Sequence, residues 1–181
     1  TAFDSNGLPD GEYYWDDDDY RPHPGAWSAW AANGGQSGLD PHDYYYPPSV
    51  HSWMVYGPFD LSGASQANLD FWYWNQSAQD SDWFFWGSSG DGDNFGGTQV
   101  SGDSDGWQQI TLDLSAHLDD PSVWIAFIFE SDAISDSYDG PFVDDITLNA
   151  YYGTVTRDWN YMVYLDVDND LEAAQIANAS V

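Results

Sequence analysis

Two residue types are missing from this chain, cysteine and lysine. Its 181 residues contain no Cys, and Arg21 and Arg157 carry its only strongly basic side chains. Without Cys, disulfide bonds, thiol catalysis and cysteine-ligated zinc are excluded. No apolar stretch reaches the roughly 18 residues of a membrane-spanning helix, so no membrane insertion is expected.

The shortage of positive charge leaves a strongly acidic chain. Acidic residues number 31, and the formal net charge is −29. Such a charge repels nucleic acid and anionic membrane surfaces, so neither is expected as a partner. Cations, basic proteins and neutral glycans are compatible with it. An aromatic content of 18%, with 11 Trp, indicates a packed core rather than a disordered chain.

Strand-like segments separated by Gly, Asp and Ser turns make up the middle of the chain, and helical periodicity is absent before the C-terminal end. Such a pattern predicts an all-β fold, an antiparallel β-sandwich of jelly-roll type, over residues 1–152. Residues 153–181 are expected to form a C-terminal tail with an extra strand and a short helix. The strand candidates of the sandwich are Trp53–Tyr56, Leu69–Trp74, Asp82–Gly87, Trp107–Leu114, Ser122–Phe129 and Phe142–Asn149.

The last of these segments carries acidic side chains inside an apolar strand. Strict alternation puts Asp144 on one face with Phe142 and Leu148, and Asp145 on the opposite face. An ionised carboxylate on an apolar face is costly unless a cation or hydrogen-bond donors meet it. Because basic side chains are nearly absent, the sequence predicts a metal ion bound by Asp144 or Asp145, and Ca²⁺ is favoured.

A series of segments occurs in an order that is typical of one kind of secreted module. It comprises Ala2–Gly11, Ser52–Ser62, Leu69–Trp74, Asp82–Phe84, Ser88–Phe95, Gly106–Trp107, Val123–Phe129 and Val143–Ile146. The combination resembles the jelly-roll module of secreted immune inhibitor A-type peptidases and, more loosely, MAM-type adhesion domains. The resemblance implies an extracellular, non-catalytic module whose bound cation joins the first strand to the last. It therefore adds Asp4, near the first strand, to the predicted Ca²⁺ ligands.

The tail shows a different resemblance. Residues Trp159–Ala174 are similar to the first strand and helix start of clostripain-type cysteine peptidases. Such enzymes need a His and a Cys as base and nucleophile, and neither follows Trp159 in this chain. The resemblance implies that the chain is an N-terminal module followed by the first part of a catalytic domain, either as a processed fragment of a secreted peptidase or as an eroded relative of one.

The tail also contains a predicted contact surface. Its strand-like segment is apolar on both faces, so it should pair within a sheet or be buried on both sides. It could fold back onto its own sandwich, or add to a neighbouring subunit and give oligomers or filaments. The residues of this segment are Tyr161, Met162, Val163, Tyr164 and Leu165.

The sequence contains no pattern that indicates enzymatic catalysis. The four histidines, His23, His42, His51 and His117, lack the spacing of metal ligands. No G-x-S-x-G nucleophile motif occurs. The sequence therefore predicts that the chain is not an enzyme.

Several aromatic residues allow two interpretations. They could stack on sugar rings, or they could fill the space between the sheets and beneath the long loops. The second interpretation is favoured because a sandwich of this size needs bulky core residues. The residues in question are Trp72, Trp74, Trp83, Trp86 and Tyr44–Tyr46.

Two acidic segments are further candidates for cation binding, each with a simpler interpretation. Asp91–Asn94 could hold Ca²⁺, but a hairpin turn is favoured. Asp16–Asp19 is expected to be a solvated or weakly cation-binding loop.

The function that the sequence favours is that of a secreted, non-catalytic structural or adhesive accessory module. It is expected to be stabilised by Ca²⁺, to self-associate through its tail, and to contact glycans or cell-surface proteins. Two alternatives stay open. One is a carbohydrate-binding module, and the other is the processed peptidase fragment.

Overall fold

The computed structural model describes residues 1–6 and 12–153, together with the backbone of two strands in the tail. These residues form strands joined by turns, and a short 3-10 turn, Ser115–His117, precedes the ninth strand. None of the described segments is a helix long and apolar enough to cross a membrane. The strands are β1 (Ala2–Asp4), β2 (Tyr14–Asp18), β3 (Ser28–Gly34), β4 (His51–Phe59), β5 (Gln66–Gln76), β6 (Trp83–Ser89), β7 (Gly96–Val100), β8 (Gln108–Asp113), β9 (Val123–Glu130), β10 (Gly140–Tyr151), β11 (Asn160–Tyr164) and β12 (Gln175–Ile176).

The strands form two antiparallel sheets that pack face to face. The five-stranded sheet has the order β1-β4-β9-β6-β7. The seven-stranded sheet runs β12-β11-β10-β3-β2, with β5 also paired to β10 and β8 paired to β5. The predicted antiparallel β-sandwich is confirmed.

Aromatic side chains fill the space between the sheets. Phe71 of β5 meets Phe127 of β9 edge-to-face, with ring centroids 5.0 Å apart, and meets Trp86 of β6 at 5.7 Å. All three are buried. Edge-to-face pairs of this kind add about 0.5–1.5 kcal/mol each to the gain from burial. The core is therefore held mainly by contacts between the central strands β5, β6 and β9.

A β-bulge in β10 changes which side chains share a face. The register against β5 shifts between Asp144 and Thr147, and Asp145 has a φ of +52°. Asp144 lies opposite Trp72, on the outer face, whereas Leu148 lies opposite the core residue Leu69. The prediction that Asp144 and Leu148 share a face is wrong, because the extra residue of the bulge reverses the alternation.

The tail strand pairs with its own sandwich. β5 occupies one edge of β10 along its whole length, and β3 occupies the other edge only at Phe142 and Val143. β11 takes the remainder of that edge, from Thr147 to Tyr151. The predicted tail strand is confirmed for residues 160–164. Leu165 lies outside the described residues. Where a short helix is predicted near the C-terminal end, Gln175–Ile176 form strand β12, and the surrounding residues are not described.

Candidate functional site

An aromatic groove lies on the outer face of the five-stranded sheet. It has a volume of about 240 Å³, and its floor is the 7% exposed side chain of Ile128. The aromatic walls are partly exposed, and two polar side chains at the rim are exposed. We call this feature the aromatic groove, and its lining residues are Trp53, Trp83, Phe85, Phe95, Gln99, Ile128 and Glu130.

The strand register builds this groove. Phe3 lies opposite Trp53, Trp53 lies opposite Ile128, and Ile128 lies opposite Phe85. Gln99 of β7 faces Phe85 and completes the row. Directly paired residues of antiparallel strands point to the same face, so the row crosses all five strands as one continuous surface.

Two glycines keep the surface low beside Phe85. A Cβ atom at Gly87 would lie 2.6 Å from Cζ of Phe85, and a Cβ atom at Gly97 would lie 2.8 Å from it. Contacts this short would force the ring to move. The phenyl ring of Phe85 therefore lies over the backbone of β6 and β7, where only glycine leaves room for it.

The loop between β6 and β7 supplies another wall. Oδ1 of Asp91 accepts hydrogen bonds from the backbone N–H groups of Asp93 and Asn94, and Oδ2 accepts one from the Asn94 side chain. These hydrogen bonds, first of all the one from the Asn94 backbone, hold the pKa of Asp91 below its ordinary value. At the end of the loop, the Phe95 ring meets Trp53 edge-to-face, with centroids 5.9 Å apart. The hairpin interpretation of this segment is confirmed.

The polar groups of the groove are few. Glu130 has a side chain 53% exposed, and its Oε1 lies 3.7 Å from Nδ1 of His51. Glu130 is paired directly with Trp83, so a carboxylate and an indole stand side by side on the same face. The indole N–H of Trp53 is buried and has no acceptor among the described residues. The groove thus combines π-faces with one anion and one unsatisfied donor.

The outer face of the seven-stranded sheet is covered by the segment that follows β2. The guanidinium carbon of Arg21 lies 3.6 Å from the ring centroid of Trp74, and its Nη2 lies 2.6 Å from Oδ2 of Asp139. The His23 imidazole stacks on Trp72 with centroids 4.0 Å apart. Most of the aromatic surface on this side is therefore occupied by the chain itself.

The predicted ligand Asp144 lies beneath this covering segment. It is 5% exposed, and its carboxylate accepts hydrogen bonds from the backbone N–H groups of His23 and Asp145, at 2.6 and 2.7 Å. Burial raises its pKa to about 6. Oδ2 of Asp145 lies 3.0 Å from Nδ1 of His23. Hydrogen-bond donors therefore meet the buried carboxylate, and its role as a Ca²⁺ ligand stays a prediction.

Asp4 lies elsewhere. It belongs to β1 of the five-stranded sheet, and its carboxylate accepts hydrogen bonds from the N–H groups of Asn6 and Glu12, both at 3.0 Å. Asp144 belongs to the outer face of the other sheet. The structure does not bring Asp4 next to Asp144.

Two other groups of described residues place three possible metal ligands within 4.8 Å of one another. One consists of Asp18, Asp19 and His42, and the other of Asp82, Asp132 and Asp136. In the second, the fully buried Asp82 accepts hydrogen bonds from the Tyr46 hydroxyl and the Asp132 backbone N–H. The second group could not be predicted from the sequence, because its members come from two distant loops.

A series of Ser, His and Asp side chains lies at one end of the sandwich. Oγ of Ser88 is 3.0 Å from Nε2 of His117, and Nδ1 of His117 is 3.1 Å from Oδ2 of Asp120. Ser88 lies inside β6 and is paired to both β7 and β9. Its backbone N–H is therefore committed to the sheet, whereas a nucleophile of this type needs free N–H groups to stabilise an oxyanion. We interpret the series as a polar cap on the sandwich.

The aromatic residues divide between the two interpretations that the sequence allowed. Trp74, Trp86 and Tyr46 are buried, which confirms their structural role. Trp83 lines the groove, so its assignment to the interior is wrong. The groove residues Trp53, Phe85 and Phe95 were not predicted. The run from Trp83 to Trp86, in which alternation makes both faces of β6 aromatic, was a signal for Phe85 alone.

No family model and no curated protein matches the chain. The predicted likeness to immune inhibitor A-type, MAM-type and clostripain-type proteins therefore has no support beyond the sandwich fold. Solved structures of similar fold do match. Two of them, with TM-scores above one half, are cleaved adhesin domains of Lys-gingipain from Porphyromonas gingivalis W83.

The first of these, the K1 domain, has a TM-score of 0.51 and 14% identity over 82% of this chain and 88% of that domain. The K3 domain has a TM-score of 0.53 and 15% identity over 82% of this chain and 89% of that domain. A weaker likeness, with a TM-score of 0.43 and 12% identity over 87% of this chain and 89% of the module, is to a family 11 carbohydrate-binding module of a cellulosomal cellulase of Clostridium thermocellum. No conclusion rests on this third match. The two adhesin domains establish a shared β-sandwich fold.

Proposed function

We propose that this protein is a non-catalytic, extracellular binding module of the adhesive kind, which attaches to glycans or surface proteins through the aromatic groove. The observation that carries the proposal is the row of partly exposed aromatic side chains across the five-stranded sheet. Contiguous apolar surface rimmed by polar groups is characteristic of interaction sites on soluble proteins. The chain covers the corresponding face of the other sheet and leaves this one accessible.

The chemical character of the groove supports binding without catalysis. Its lining contains one carboxylate, Glu130, which lies 3.7 Å from the His51 imidazole, and the described lining residues include no hydroxyl or thiol that could act as a nucleophile. Aromatic rings offer large contact area at a low cost in conformational entropy, and they accept both sugars and side chains. The adhesin domains of similar fold are consistent with such a role.

Binding to arrayed glycans and to immobilised extracellular matrix proteins tests the proposal. Wild-type protein should bind at least one class, and Trp83→Ala or Phe95→Ala should lower that binding about ten-fold or more, since aromatic anchors dominate such interfaces. Trp27→Ala is the matched control, because Trp27 is an exposed tryptophan, 38% accessible, outside the groove. Binding that survives both groove substitutions, or no binding to either class, would contradict the proposal.

Two further parts of the proposal concern stability and assembly. Ca²⁺ bound at Asp144 or Asp145 would stabilise the fold by mass action. Self-association through the tail strand would require β11 to leave its own sheet, because β11 is paired with β10 of the same chain. Sedimentation of the full chain against a form ending at Gly153 tests this part, and two monomers of equal stability would exclude it.

A further inference from the structure

We propose that the aromatic groove receives an arginine side chain from a partner protein, whose guanidinium group lies on the groove's rings and pairs with Glu130. This inference rests on the proposed function and names the chemistry of the ligand. It depends on a comparison between the groove and the contact that Arg21 makes inside the same molecule.

The Arg21 contact shows what an aromatic outer face of this sandwich accepts. Its guanidinium carbon is 3.6 Å from the centroid of Trp74, 5.2 Å from that of Tyr20 and 5.5 Å from that of Phe142. Its Nη2 is 2.6 Å from a carboxylate oxygen of Asp139. The group is therefore held by π-faces on several sides and by one carboxylate.

The aromatic groove presents the same set of groups, and no arginine is among its described lining residues; the neighbour of its carboxylate is the His51 imidazole, at 3.7 Å. Trp83 and Glu130 are directly paired residues of β6 and β9, so their Cβ atoms stand about 5 Å apart on the outer face. Trp53 and Phe95 form the facing wall, in edge-to-face contact. A guanidinium group placed between these walls would meet an indole face and a carboxylate, as Arg21 does on Trp74.

Charge favours a cationic ligand over an anionic one. The whole chain has a net charge of −29, and Arg21, one of its two arginines, is engaged on the opposite face. The field of the protein therefore attracts positively charged partners and accelerates their association. Arginine suits the groove better than lysine, because its planar group stacks on aromatic faces while it pairs with a carboxylate.

Two peptides that differ at one position provide the test. One carries a single arginine between glycine and serine residues, and the other carries citrulline, which has nearly the same shape without the charge. Binding is followed by the indole N–H resonances in a ¹H–¹⁵N spectrum. The arginine peptide should bind about three- to ten-fold more tightly than the citrulline peptide, as expected for a cation–π contact with an ion pair.

Substitution of single carboxylates separates the groove from the general charge of the protein. Glu130→Gln should lower the ratio of the two affinities to the smaller value that the cation–π contact alone supplies. Asp43→Asn removes an equal charge from an exposed residue outside the groove and should leave the ratio unchanged. Equal affinity for the two peptides, or the same fall in the ratio for both variants, would overturn the inference.

The same proteins distinguish failure of this inference from failure of the proposed function. If Trp83→Ala abolishes attachment to a glycan or protein and the arginine peptide does not compete with that ligand, the groove is a binding site for another chemistry. The proposed function then stands and the arginine inference fails. If Trp83→Ala has no effect on attachment, both fail.

Discussion

The two outer faces of the sandwich carry the same kinds of aromatic side chain, but among the described residues the chain covers only one of them. On the seven-stranded sheet, Arg21 and His23 lie on Trp74 and Trp72. On the five-stranded sheet, Trp83 and its neighbours line an accessible groove. One face therefore contributes to the stability of the fold, while the other keeps its contact area for a ligand.

The covered and open faces also differ in the partners of their charged side chains. Beneath the covering segment, Nη2 of Arg21 pairs with Asp139, and the Asp144 carboxylate accepts hydrogen bonds from two backbone N–H groups. Glu130 of the open face remains 53% exposed, and its Oε1 lies 3.7 Å from the His51 imidazole. Since an unpaired charge is costly to bury, a ligand that covers Glu130 must bring a donor or a cation.

The largest difference in unfolding free energy is expected between two tryptophan substitutions, one on each outer face. Trp74 is 8% exposed and supports the Arg21 guanidinium, so Trp74→Ala should cost about 3 kcal/mol of unfolding free energy or more. Trp83 is partly exposed, so Trp83→Ala should cost about 1 kcal/mol or less. Urea unfolding of both variants measures the difference. Equal losses of unfolding free energy would show that the open face contributes as much to stability as the covered face.

The comparison also marks how far the sequence could predict the molecule. The strands around Phe71, Phe127 and Trp86 follow from alternation and turn residues, which act locally. The bulge at Asp145 could not be predicted, because its positive φ depends on the neighbouring strands and on the contact with His23. Without the bulge, Asp144 is assigned to the wrong face.

The groove escaped prediction for a related reason. Trp53, Phe85 and Phe95 come from two strands and a loop that are distant in sequence, and only the register brings them together. The sequence does show that the chain has more aromatic residues than one core layer between two sheets would hold. It does not show which of them the segment around Arg21 covers.

The contribution of the buried Asp144 to the unfolding free energy should depend on pH. Burial raises the pKa of Asp144 to about 6, above the value of about 3.9 for an unfolded chain. The folded state therefore binds this proton more tightly, and the contribution of Asp144 to stability should fall as the pH rises from about 4 to 6. The change should be about 2 kcal/mol.

The Asp144 contribution is obtained as a difference between two proteins. Unfolding free energies of the wild type and Asp144→Asn are measured between pH 4 and pH 8, so that repulsion among the other carboxylates cancels. Asp43→Asn, at an exposed residue outside the covered face, serves as the control. A constant difference between wild type and Asp144→Asn would show that Asp144 does not titrate in this range.

Removal of Ca²⁺ is the next test of the covered face. If Asp144 or Asp145 binds Ca²⁺, chelator should lower the unfolding free energy by about 2–3 kcal/mol relative to Ca²⁺ at a hundred times its dissociation constant. Asp144→Ala should remove this sensitivity. Mg²⁺ at the same ionic strength controls for general screening of the acidic surface. If the melting curves in Ca²⁺ and in chelator coincide, Ca²⁺ does not stabilise the fold, and the prediction that Asp144 or Asp145 binds it is wrong.

The smallest effect on stability, with a clear effect on binding, is expected from the loop at the edge of the open face. Asp91→Ala removes the acceptor that holds the N–H groups of Asp93 and Asn94, and so loosens the position of Phe95. Asp93→Asn takes one charge from the same loop and leaves the hydrogen bonds of Asp91 in place. Hydrogen exchange should therefore speed up at both loop amides in Asp91→Ala alone. Ligand binding should weaken in that variant, because a wall that is no longer preorganised loses entropy when the ligand orders it. If Asp91→Ala binds the ligand as tightly as Asp93→Asn does, Phe95 is positioned without the hydrogen bonds of the loop. The shape of the groove would then be set by the strands of the sheet.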